Sequence, residues 1–190
     1  MIEILNITKK YGRQTVLDDF SLTVNNGQKI ALVGESGAGK TTLLRVLSGL
    51  ETVDSGNITC DEKMAYMFQE PRLLPWKTAR ENISAVLKKE NHSLADKYLD
   101  AVGLPDAADK IPDELSGGMA QRVSFARFLA YAEESGATML LLDEPFSALD
   151  KETADKMLNL LLDFSADKTL ILVTHDENTA QNLGGRVVKI

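Results

Sequence analysis

Apolar and polar residues alternate along "IEILNIT" (Ile2–Thr8), and two further short runs rich in apolar residues follow, "FSLTV" (Phe20–Val24) and "KIALVG" (Lys29–Gly34). A period of two sends successive side chains to opposite faces of an extended chain, so residues 2–33 read as β structure. Asn25-Asn26-Gly27 separates the second run from the third and reads as a hairpin-type turn. The period then lengthens: "KTTLLRVLSGL" (Lys40–Leu50) spaces its apolar residues as one face of a helix does. "SGNITC" and "MAYMFQ" read as two short strands, and residues 78–132 have helical spacing broken at Pro105 and Pro112. From 138 onward the pattern gives strand (138–143), helix (151–163), strand (168–173), helix (176–183) and strand (186–190). Strands that alternate with helices imply a parallel sheet with helices on its faces. The helical middle then reads as an insertion between two parts of that sheet. No internal repeat or low-complexity linker interrupts the 190 residues, which suffice for one sizeable core.

Composition narrows the function classes. The chain carries 21 basic and 28 acidic side chains, a formal net charge of −7, which argues against nucleic acid as a partner. A single cysteine, Cys60, excludes an intrachain disulfide and suits a reducing compartment. No apolar run approaches the roughly eighteen residues needed to span a bilayer. The first residues lack the charge-then-apolar order of a signal peptide. A cytosolic chain is expected, with any membrane link made through a partner.

The chemistry starts at "GESGAGKT". Gly34, Glu35, Ser36, Gly37, Ala38, Gly39, Lys40 and Thr41 fit G-x-x-x-x-G-K-[ST], between the apolar strand "KIALV" and the helix opened by Thr41 and Thr42. Glycines let successive backbone N–H groups turn inward around phosphate oxygens. Lys40 puts a positive charge near the β- and γ-phosphates, and the Thr41 hydroxyl can ligate Mg²⁺. A second strand, "MLLLDE", brings Asp143 to its C-terminal end, where α/β sheets bind ligands. Asp143 can hold Mg²⁺ through its waters, and Glu144 can polarise an attacking water. The expectation is a P-loop NTPase.

"LSGGMAQR" (Leu115–Arg122) is harder to place, because one nucleotide has no obvious use for a second anion site. Ser116, Gly117 and Gly118 precede a helix, and free N–H groups, the helix dipole and the serine hydroxyl all favour a phosphate there. Two copies arranged head to tail about a twofold axis would each complete the other's site. Equally, Ser116 can be an ordinary helix N-cap.

These residues resemble those of the ATP-binding cassette ATPases of ABC transporters, over nearly the whole chain and in the family's order: the phosphate loop, "FQEPRLLPW" with Gln69, "LSGGMAQ", "LLLDE", "SALD" (Ser147–Asp150) and "VTHD" with His175. Two of these stretches, "FQEPRLLPW" and "LSGGM", look most like subunits of importers for nitrate, sulfonate, taurine and related small solutes. The resemblance implies an α/β fold with a RecA-like parallel sheet, an N-terminal antiparallel β subdomain and an inserted helical subdomain at about 78–132, all in one domain spanning 1–190. It implies ATP and Mg²⁺ as ligands. Tyr11, 23 residues before Gly34, falls where the family places an aromatic on the adenine. Gln69 offers an amide oxygen to Mg²⁺. Glu144 is the base, with Lys40 and His175 beside the γ-phosphate, and Asp150 acts across a dimer or caps the next helix. The partners implied are a second copy of the cassette, a membrane permease contacted through Gln69–Arg80, and a solute-binding protein outside the membrane. The location implied is the cytoplasmic face. Three features depart from the family: only 35 residues separate Gly34 from Gln69, the chain stops one helix and strand after His175, and "YAEESGATM" replaces the usual tight link before the Mg²⁺ strand with a more polar one. Exporter and lipid-handling complexes use the same engine. Non-transport members of the fold remain open, although no long heptad run or second cassette occurs. A GTPase reading lacks N-K-x-D.

Overall fold

A computed structural model describes residues 1–89 and 91–190. In chain order the elements are β1 (Ile2–Tyr11), β2 (Gln14–Val24), β3 (Lys29–Val33), α1 (Lys40–Leu47), β4 (Ser55–Cys60), β5 (Met64–Met67), α2 (Ala79–Ser84), α3 (His92–Ala101), α4 (Gly117–Ser135), β6 (Met139–Asp143), α5 (Lys151–Phe164), β7 (Thr169–Val173), α6 (Glu177–Asn182) and β8 (Arg186–Lys189). Single 3₁₀ turns at Pro105–Ala107 and Pro112–Glu114 connect α3 to α4. The contacts divide the chain into two units. One contains Met1–Met64, Thr138–Asp143 and Ser165–Ile190; the other contains Ala65–Ala137 and Glu144–Phe164.

The first unit holds two kinds of β structure. β2, β1 and β4 form an antiparallel sheet in that order, with Ile2, Ile4, Ile7, Leu22 and Val24 buried. β6, β7, β3 and β8 lie side by side in a parallel arrangement. Every residue of β6 and of β7 is buried, which is why Met139–Leu142 and Leu170–Val173 are continuous apolar runs rather than alternating ones. Each such leucine or isoleucine contributes about 1.5–3 kcal/mol through burial. The Asn25-Asn26-Gly27 segment turns as expected, with the Gln28 N–H donating to the Asn25 carbonyl over 3.0 Å. It is not a hairpin, however: β2 pairs with β1, and β3 pairs with β7 and β8. The hairpin lies one strand earlier, where Tyr11 faces Gln14 across Gly12 and Arg13.

The second unit is mainly helical. α2, α3 and α4 pack on one another. Their shared core includes Ile83, Leu99, Phe125 and Leu129, all at most 1% exposed. α2 begins with a capping box, in which Thr78 and Glu81 each accept from the other's backbone N–H. Among the described residues no helix is long and apolar enough to cross a membrane.

Candidate active site

The phosphate loop begins where β3 ends. Ile30, Ala31 and Leu32 are fully buried and β3 is paired on both sides, so the loop leaves a fixed strand. Gly39 caps α1 with φ 102°, a left-handed backbone that an L side chain resists. A Cβ there would also lie 2.8 Å from the Val16 carbonyl oxygen. At Gly34 a Cβ would collide with the carbonyl of Ile190. α1 has no side-chain cap and no acidic residue in its first turn, and Leu43 N–H to Gly39 O (2.8 Å) is an early bond of its ladder. The N–H groups that open the helix, from Lys40 to Thr42, therefore present partial positive charge that no acidic residue of the helix's own first turn offsets. This cradle fits a phosphate group.

Lys40 is 9% exposed and folds back over the loop, donating to the Gly34 and Glu35 carbonyls, each at 2.8 Å. An ammonium has three protons, so one is left for a phosphate oxygen. Glu35, Ser36 and Gly37 are exposed at the mouth, while Ala38, Thr41 and Thr42 are half-buried. Asp143 ends β6 at 1% exposure. Among the described residues no three His, Cys, Asp or Glu side chains group to hold a metal on their own. Two protein oxygens, from the Thr41 hydroxyl and the Asp143 carboxylate, suit Mg²⁺, which keeps its waters and takes phosphate oxygens as ligands.

In the same unit His175 follows β7 and is exposed. It lines an open cleft of about 740 Å³ together with Val33, Gly34, Glu35, Glu177 and Lys189. The structure thus brings His175 to the start of the phosphate loop. Next to it, Asp176 caps α6 by accepting from the Thr179 hydroxyl (2.6 Å) and backbone N–H (2.8 Å), which holds its carboxyl below the usual range. Tyr11 ends β1 with its ring 44% exposed. Its hydroxyl donates to Glu51 Oε2 (3.2 Å), and Lys9 Nζ binds Glu51 Oε1 (2.8 Å).

The remaining site residues belong to the second unit. Glu144 is half-buried and adopts φ 49°, a left-handed backbone that is uncommon for glutamate. Gln69 is exposed. Ser116 is the N-cap of α4, accepting from the Met119 N–H at 3.2 Å. Capping uses its lone pair and leaves its proton for donation. Gly117 has nothing within 4 Å of a notional Cβ, and Gly118 would meet only ordinary contacts at 3.4 Å and beyond. Packing within the chain therefore demands neither glycine, although each costs a helix up to about 1 kcal/mol relative to alanine. Asp150 caps α5, accepting from the Thr153 N–H (3.0 Å) and hydroxyl (2.7 Å).

Gln121 is the residue that sequence reasoning left without a role. It is 2% exposed, and its amide nitrogen donates to the carbonyls of Pro145 (3.0 Å) and Gln69 (3.4 Å). One side chain on α4 thus ties the backbone at Gln69 to the peptide that follows Glu144. A signal existed: Gln121 lies four residues before Phe125 and shares its buried helical face.

Beyond Gln69 the chain exposes apolar surface. Trp76 is 74% exposed. Arg127 donates to the carbonyls of Pro71 (2.6 Å) and Arg72 (3.0 Å), and the Arg72 guanidinium lies 4.1 Å from the Phe68 ring centroid. Alongside is a mainly apolar groove of about 430 Å³ lined by Tyr66, Phe68, Val86, Arg127, Phe128 and Tyr131.

Known proteins resemble this chain in sequence and fold. Residues 17–147 match the family described as ABC transporter. An aliphatic sulfonates import ATP-binding protein of Pseudomonas syringae pv. syringae is 42% identical over 98% of this chain and 68% of its own length. Its counterpart in Albidiferax ferrireducens is 44% identical over 97% of this chain and 69% of its own length. Among solved structures, the ATP-binding cassette MJ0796, a dimer in a post-hydrolysis state bound to ADP and Pi, aligns with a TM-score of 0.89. That alignment has 29% identity and covers 100% of this chain and 94% of the other. Fold, phosphate loop and relatives agree: the chain is an ATP-binding cassette ATPase belonging to the ABC transporter family.

Proposed function

We propose that the chain is the motor subunit of an importer, working as a head-to-tail pair on the cytoplasmic face of the membrane. Aliphatic sulfonates are the first solute class to test, because the relatives that match nearly the whole chain are sulfonate import proteins. ATP binds with its triphosphate in the Gly34–Thr41 loop and its adenine on Tyr11. Thr41, Gln69 and Asp143 hold Mg²⁺, which offsets charge on the phosphates. Ser116, Gly117 and Gly118 of the facing copy dock on the γ-phosphate, so ATP selects the closed pair. Glu144 orients the attacking water, and Lys40 and His175 stabilise the transferred phosphoryl group. The single cassette spans 1–190, with its helical subdomain at about 78–132.

The observation that carries the pairing is the Ser116-Gly117-Gly118 helix entrance, exposed at Ser116 and Gly117, whose glycines the chain's own packing does not require. Backbone left open at a helix N-terminus suits a phosphate from outside the subunit. The apolar groove beside Phe68 and Phe128, with the exposed Trp76, suits a short amphipathic segment of the permease, and a solute-binding protein would act through that permease. The test is Glu144→Gln in the presence of Mg·ATP. A dimer that accumulates on size exclusion, with hydrolysis lost, supports the reading. A monomer under saturating ATP, or unchanged turnover, overturns it.

A further inference from the structure

Tyr11 does not stand alone at the end of β1, the central strand of the antiparallel sheet. Lys9, on the same strand, is 7% exposed, and its ammonium lies 5.1 Å from the centroid of the Tyr11 ring. Glu51, in the segment after α1, accepts from both, with Oε1 on Lys9 Nζ at 2.8 Å and Oε2 on the Tyr11 hydroxyl at 3.2 Å. The two oxygens of one carboxylate therefore fix a cation and a phenol at once. A tyrosine that is 44% exposed would ordinarily move between rotamers, and here it is held at its tip while its ring is approached by a positive charge.

We propose that Lys9 and Glu51 are positioning residues for the nucleotide base, forming a clamp that presents the ring of Tyr11 to adenine. The proposal rests on the reading of Tyr11 as the adenine platform. An aromatic ring stacks best when its orientation is settled before the ligand arrives, since the ordering cost is then not taken from binding. The Lys9 cation attracts the electron-rich face of the ring and competes with no phosphate, being engaged by Glu51. The hydrogen bond from Lys9 holds the Glu51 carboxyl below the usual carboxylate range, so the acceptor is ionised at neutral pH. Neither residue belongs to the phosphate loop or to the base and metal residues. Their effect is confined to how tightly the adenine half of ATP is held.

The experiment compares Lys9→Met, Glu51→Leu, Tyr11→Ala and the double variant Tyr11→Ala/Glu51→Leu for ATP hydrolysis, for inhibition by tripolyphosphate and for thermal midpoint. Tripolyphosphate occupies the phosphate loop but has no base. Lys9→Met and Glu51→Leu should each raise the KM for ATP about 3- to 10-fold, as expected for loss of a cation–π contact or a hydrogen bond. Their kcat should stay within about twofold, and inhibition by tripolyphosphate should not change. In the double variant Glu51→Leu should add nothing to the KM already raised by Tyr11→Ala. The clamp is overturned if Glu51→Leu leaves KM unchanged while Tyr11→Ala raises it, if tripolyphosphate inhibition weakens in step with ATP, or if the two substitutions multiply. If Tyr11→Ala itself leaves KM unchanged, the platform reading and the clamp fall together.

Discussion

The side-chain amide of Gln121 reaches the carbonyl of Pro145 over 3.0 Å, which fixes the backbone one residue after Glu144 to the helix that begins at Gly117. Gln121→Leu removes the donor and leaves a buried carbonyl unsatisfied, a cost of about 1–3 kcal/mol. Denaturant unfolding should show that loss, and kcat should fall while the KM for ATP holds. Gln121→Glu should be worse than Gln121→Leu, because a carboxylate oxygen would then face the carbonyls of Pro145 and Gln69.

Gly39→Ala tests the phosphate loop as a piece of backbone. The substitution puts a Cβ at φ 102° and within 2.8 Å of the Val16 carbonyl. Strain of this kind costs about 1–3 kcal/mol, and the contact adds to it. A lowered thermal midpoint and weaker ATP binding should appear together. Gly117→Ala is the contrast: with nothing near its Cβ, stability should hold or rise, so any loss of turnover reports on a contact from outside the chain.

Lys40→Met keeps the length of the side chain and removes its charge. Charge-assisted hydrogen bonds are worth about 1.5–3 kcal/mol, so ATP affinity should fall about 10- to 100-fold in a direct binding titration. The Gly34 and Glu35 carbonyls lose their donor in the same change. Part of the effect should therefore appear as a lower thermal midpoint without nucleotide.

Features of the fold and of the site differ in how far the sequence exposes them. The phosphate loop was legible because its motif sits between a strand and a helix that were themselves legible, and the alternation of strands with helices from 138 onward announced the parallel sheet to which β6 and β7 bring the apolar runs Met139–Leu142 and Leu170–Val173. The turn at Asn25-Asn26-Gly27 was legible but its consequence was not. Turn chemistry is local, whereas the sheet that the next strand joins is decided by β7 and β8, more than a hundred residues later. The left-handed backbone of Glu144 had no signal, because glutamate carries no preference for it. The Lys9–Glu51 pair was beyond reach for the same reason as the sheet order: 42 residues separate its members.

Acid should weaken the N-terminus of α6, which Asp176 caps. Asp176 has a carboxyl held below its ordinary 3.8, chiefly by the Thr179 hydroxyl. Its ionised form stabilises the fold above pH 3.8, and that contribution disappears as pH falls through the lower folded value. Asp176→Asn keeps a good N-cap and removes the titration. Melting curves between about pH 6 and 2.5 should therefore show a shallower acid decline in the variant than in the parent, with similar midpoints at pH 7.

The discontinuous make-up of the first unit has a consequence for biosynthesis. β3, which launches the phosphate loop, takes its neighbours from Thr169–Val173 and Arg186–Lys189, strands translated more than a hundred residues after it. The antiparallel sheet and the helices can gather during translation, but the strand that carries the nucleotide loop stays unflanked until those two strands emerge. Nascent chains arrested before Thr169 should accordingly be unable to retain ATP, and competence should arrive late and all at once.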